Sequence, residues 1–137
     1  MPVKKKRIWL PVKKKSASKV PDALKSQVKA EADELIEKVL KPKFIKPPPE
    51  DNDFNYLVDI YSKWYRNYFY FCSKYNCPGP NAISPSFESK FARLEYMENG
   101  SFALSYMRHN DKWLEIASDL SLKEALDTIE SGGSFFP

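Results

Sequence analysis

The chain has 137 residues, 42% of them hydrophobic and 29% charged, with a formal net charge of +4. That is the length of one domain, long enough to bury a core without disulfide or metal staples. No apolar run approaches the roughly eighteen residues a membrane-spanning helix needs, and "IWLPV" (8–12), broken by Pro11, is too short for a signal-peptide core.

Cys72 and Cys77 make no disulfide framework, and free thiols suit a reducing compartment, so the expected location is cytoplasmic. Charge is unevenly placed. Residues 1–19 carry Lys4, Lys5, Lys6, Arg7, Lys13, Lys14, Lys15 and Lys19 and no acid. Residues 20–50 carry six lysines and six acids, and residues 51–137 carry eight Lys/Arg against twelve Asp/Glu. The basic character belongs to the first nineteen residues, and the aromatic-rich remainder is acidic.

Residues 1–19 read as a flexible basic arm ahead of a single domain over 20–137. In "VPDALKSQVKAEADELIEKVLKPK", Leu24, Val28, Ala32, Leu35 and Val39 recur at helical steps, and Ile36 and Leu40 widen the stripe. Asp22 suits the positive end of the helix dipole and Lys38 and Lys41 the negative end. Pro42 should stop the helix, which is therefore expected over 22–40. "KPKFIKPPPEDND" (41–53) reads as a Pro-rich linker, stiffened by Pro47, Pro48 and Pro49.

From Phe54 the composition turns to Tyr, Phe, Trp, Val and Ile. The β-forming types in "YFYFC" favour strands at 55–61 and 67–75, with the polar cluster 62–66 as their turn. Aromatics on both sides of 67–75 suggest a central strand covered on two faces. A helix over 61–75 is the competing reading, because short apolar runs fit both periods. "NCPGPNAISPS" (76–86) reads as a loop.

In "FARLEYMENGSFALSYMRH", a three-residue loop Glu98–Gly100 sets Tyr96 opposite Phe102, Leu94 opposite Leu104 and Ala92 opposite Tyr106. A two-residue loop would mix apolar and polar residues on each face. "HND" (109–111) is a second turn and "KWLEIA" (112–117) a further strand. Ser121 and Glu124 make an S-x-x-E capping box before the stripe Leu122, Leu126 and Ile129, which Gly132 and Gly133 close. The predicted fold is α+β, a five-stranded antiparallel sheet with an N-terminal and a C-terminal helix packed on one face.

The stretch 91–116, the following helix and the terminal aromatic pair resemble an uncharacterised family of small bacterial proteins of unknown function. The positions that carry the resemblance are Ala92, Arg93, Tyr96, Tyr106, Arg108, Trp113 and Phe136. It implies the hairpin sheet and no activity.

The chain is poor in catalytic signals. His109 is the single histidine and sits in a turn, where a solvated role is the ordinary one. The cysteine spacing is not a zinc pattern, and the four glycines form no phosphate loop. Asp59, Glu88, Glu95 and Glu115 are expected on one exposed sheet face, where carboxylates are usually just solvated. The expected function is a small non-catalytic interaction module without cofactor or metal. It would meet an unknown protein partner, or a second copy, through Trp64, Tyr65, Arg108 and Trp113. The alternative is weak, sequence-independent nucleic-acid binding by the arm (Lys4, Lys5, Lys6, Arg7, Lys13, Lys14, Lys15), assisted by Lys63 and Arg66.

Overall fold

The computed structural model describes residues 19–50, 54–108 and 110–137. The expectations for Lys4, Lys5, Lys6, Arg7, Lys13, Lys14, Lys15 and His109 fall outside the described residues.

Helix α1 begins with Asp22–Leu35, passes through a π-helical turn Ile36–Leu40 and ends in a last α turn Lys41–Phe44. It does not stop at Pro42, as its sequence predicts. A proline breaks an α-helix through a missing N–H and a clash with the carbonyl four residues back. Here the π turn widens the coil just before the proline, and Lys41 N–H bonds Ile36 O, five residues back. The extra residue also keeps Leu35, Ile36 and Leu40 buried together. The expected linker over 41–53 therefore starts only after Phe44.

The strands are β1 (Tyr56–Tyr65), β2 (Tyr68–Asn76), β3 (Ser86–Tyr96), β4 (Phe102–Met107) and β5 (Trp113–Leu120), and helix α2 is Leu122–Glu130. They form one antiparallel meander in the order β1-β2-β3-β4-β5. Residues 61–75 are strand and turn, so the helical alternative is excluded. The turn lies at Arg66–Asn67, with Arg66 at φ +56°, rather than at 62–66. Ser62 looked like turn material but is a buried strand residue. Its hydroxyl accepts from Lys29 Nζ (2.9 Å) and donates to Asp33, so helix α1 satisfies its polarity.

Two further boundaries move. The loop after β2 is shorter than 76–86, because Asn76 and Ser86 are themselves paired. The last strand runs beyond residue 117 to Leu120, which pairs with Phe102, and Asp119 takes φ +59° just before it. The hairpin register agrees with the expected one: Tyr96 faces Phe102, Leu94 faces Leu104 and Ala92 faces Tyr106. Gly100 occupies the left-handed position (φ +85°) that its lack of Cβ permits.

Both helices pack on one face of the sheet. Val28, Ala32, Leu35, Ile36 and Leu40 of α1 and Ala125, Leu126 and Ile129 of α2 meet Ile60, Phe69, Phe71, Leu94 and Leu104. Each buried ring or branched side chain contributes about 1.5–3 kcal/mol. Trp64 lies on this side and donates its indole N–H to Lys25 O (3.1 Å). Phe135 docks into the core, whereas Phe136 stays 64% exposed and meets Phe44 edge-on. The capping box of α2 is closed in both directions: Glu124 N–H donates to Ser121 Oγ, and Ser121 N–H donates to Glu124 Oε1.

Candidate functional site

The helix-free face is built by the residues that alternate with the core set. On β2 these are Tyr68, Tyr70, Cys72 and Lys74, so β2 is covered by helices on one side only, not on two as its aromatics suggested. The register places Tyr61, Lys63 and Tyr65 of β1 and Glu88, Lys90, Arg93 and Glu95 of β3 beside them. From the other edge come Ala103, Ser105 and Met107 of β4 and Trp113 and Glu115 of β5.

Side-chain size shapes this face. Ala103 and Ser105 are small and leave a shallow trough on β4. Trp113 leans across it to reach Arg93 (ring centroid to guanidinium carbon 4.9 Å) and Tyr70 (ring centroids 5.8 Å apart). Arg93 also lies over Tyr68 at 4.6 Å, and Lys90 Nζ lies over Tyr70 at 5.6 Å. The result is a continuous row of rings and cations: Tyr68, Arg93, Trp113, Tyr70, Lys90. It covers Ala103 and Ser105, which are buried although no helix lies on this side. The Arg93 Nε is buried without a hydrogen-bond acceptor. Each cation–ring contact is worth about 0.5–1 kcal/mol at an exposed site and more where water is displaced.

Beside the row, Glu88 gathers Lys63 (2.7 Å), Lys90 (3.7 Å) and the Tyr61 hydroxyl. A recess of about 350 Å³ is lined by Lys63, Trp64, Tyr65, Tyr70 and Lys90. Asp59 pairs with Lys41 of α1 at 3.2 Å, which helps to raise the lysine above its ordinary pKa after the larger effect of its bond to Glu37. Burial pushes the Cys72 thiol up, partly offset by Lys63, Lys90 and Lys29, so it behaves as a small apolar side chain rather than a thiolate. Burial likewise raises the Tyr75 phenol, whose hydroxyl donates to Pro137 O.

The predicted contact residues separate. Trp113 sits in the row. Tyr65 is 57% exposed at the end of the open face, with Arg66 over its ring at 5.2 Å. Lys63 is tied to Glu88. Trp64 is committed to α1. Arg108 lies apart, at a second recess with Tyr75, Phe87 and Phe136. Tyr68, Tyr70, Lys90 and Arg93 were not singled out from sequence as a contact cluster, although strand alternation is the signal that groups them.

Asp59, Glu88, Glu95 and Glu115 do share the open face, and the first two are held by lysines. Ser62, Lys29 and Asp33 superficially match a nucleophile with its base. Yet Lys29 is ion-paired to Asp33 at 3.0 Å and also donates to Ser62 O, a clamp between α1 and β1. Among the described residues no three His, Cys, Asp or Glu side chains gather to hold a metal ion, and no helix is long and apolar enough to cross a membrane.

The sequence profile of a domain of unknown function, DUF3024, matches residues 20–137. The chain belongs to the DUF3024 family. The match takes in α1 and all five strands as well as α2, a wider span than the second half in which the resemblance was visible. No curated protein and no solved structure matches the chain. In this chain the fold supplies a sheet with one face built into the core and one face finished by its own rings and cations.

Proposed function

We propose that this DUF3024 chain is a small non-catalytic interaction module whose helix-free sheet face takes a protein partner. The observation that carries the proposal is the row Tyr68, Arg93, Trp113, Tyr70 and Lys90. Tyr, Trp and Arg are the residue types that dominate binding energy at protein interfaces. Here they are ordered by mutual stacking before any partner arrives, which lowers the entropy lost on binding. The buried, inert Cys72 and the lysine-held carboxylates support a non-catalytic role. The two free cysteines support a cytoplasmic setting.

A photo-crosslinking amino acid placed at Tyr70 in the native host tests this reading, with the same group at Lys123 of α2 as the control. Adducts from position 70 and none from position 123 are expected. Equal adducts from both, or none from position 70, contradict it.

A second reading rests on the eight cations of residues 1–19, which would bind polyanions without reading sequence. It predicts oligonucleotide binding at low salt that disappears when residues 1–19 are removed. Binding that is absent in the full chain, or unchanged by the truncation, contradicts it.

A further inference from the structure

We infer that the occupant of the open face is a second copy of this chain, related by a two-fold axis, with Arg93 of each copy paired to a carboxylate of the other. The inference rests on the interaction reading above and names the partner of that same surface.

Charge decides first. The cations of the face are Lys63, Lys74, Lys90 and Arg93. Its acids are Asp59, Glu88, Glu95 and Glu115, which match these strand cations in number, and Arg66 over Tyr65 adds one cation at the rim. A face so nearly balanced draws in neither a polyanion nor a strongly acidic peptide, because its own carboxylates repel what its cations attract. Ring geometry decides next. A nucleobase needs a free aromatic face to stack on, and the rings of Tyr68, Tyr70 and Trp113 each have one face already taken, by Arg93, Lys90 and Arg93 respectively. A surface of mixed sign remains, and this face is itself such a surface.

The unpaired groups indicate how two copies meet. Among the described residues Arg93 has no carboxylate partner, and its Nε is buried with no acceptor. Glu95, two residues along β3, and Glu115, opposite Ser105 on β5, have no cation partner. The guanidinium lies over the Tyr68 and Trp113 rings and pairs with neither glutamate of its own chain. In a two-fold contact residue i meets j and j meets i. One Arg–Glu pairing is therefore made twice, and the planar guanidinium suits a two-point bond to a carboxylate.

Sedimentation of the full chain over a wide concentration range tests the inference. A monomer–dimer equilibrium is expected, weakened by Arg93→Glu and by either Glu95→Arg or Glu115→Arg, each by at least about tenfold. Combining Arg93→Glu with the effective glutamate swap should restore association, and thermal melting of each variant checks that it is folded. Should Arg93→Glu fail to fold, the exposed Glu115→Arg and Glu95→Arg variants carry the test. A monomer at every concentration, or a dimer indifferent to all three single changes, overturns the inference. Crosslinks from position 70 to a different protein, with the purified chain monomeric, overturn the second copy and leave the interaction reading standing. No crosslink from position 70 removes both.

Discussion

Neighbouring residues of one strand have opposite fates. In β2, Phe69 and Phe71 are fully buried beneath the helices, with their rings 5.6 Å apart edge-on. Tyr68 and Tyr70, one residue away in each case, lie on the helix-free face with cations over their rings. The four residues differ in little but a hydroxyl, and the hydroxyl sorts them. Burying it without a partner costs about 1–3 kcal/mol in proteins, whereas a bare phenyl ring has no such penalty. The helix-covered face holds the fold together. The other face is a finished surface whose rings have polar ends.

That division can be broken most sharply by paired truncations. Phe71→Ala removes a ring from a closed core and should cost about 3–5 kcal/mol in urea unfolding. Tyr70→Ala should cost less than half as much, since its ring has water on one side. Equal losses would mean that both faces are core.

A smaller effect is expected where polarity crosses to the helix side. Ser62→Ala removes a hydroxyl that serves both Lys29 and Asp33, and should destabilise by about 1–3 kcal/mol. Asp33→Asn in the same background should then add little, because the clamp is already open. Full additivity of the two changes would show that the cluster is not one unit.

The smallest expected effect lies at α2, outside both faces. The Ser121 backbone N–H, aided by the Ser121 side chain, holds the Glu124 carboxyl below its ordinary value. The stabilisation is therefore present above the ordinary carboxylate range and is lost as pH falls through the lowered value. Hydrogen exchange of the first turn of α2 should accelerate on that acid side. Glu124→Gln should flatten the pH dependence, and a wild-type profile that is already flat would contradict the assignment.

Most of the fold was legible. The hairpin register followed from requiring Leu94, Tyr96, Phe102 and Leu104 to share a face, and the capping box marked α2. What misled were residues whose polarity or shape is answered from elsewhere in the chain. Ser62 looked like a turn because its partners lie 29 and 33 residues away in sequence. Pro42 looked like a stop because a single π turn upstream was not foreseeable from spacing. The open face was partly legible. Its carboxylates were placed together, and Trp113 was chosen as a contact residue. The row itself was hidden because Tyr and Phe were counted alike as aromatics. Reading "YFYF" as an alternation of hydroxyl-bearing and bare rings separates the two faces directly. Lys90 joins the row only because a bulge between Phe71 and Cys72 shifts the β2–β3 register, which no local pattern announces.

The most direct test of the division between faces is side-chain oxidation footprinting of the full chain. Dilute purified protein would be compared with the same protein held concentrated in extract from its native host. The expected result is loss of reactivity at Tyr70 and Trp113 in the concentrated state, with Tyr96 and Tyr106 on the helix side unchanged. Unchanged reactivity at Tyr70 and Trp113, or equal protection on both sides of the sheet, would contradict the account.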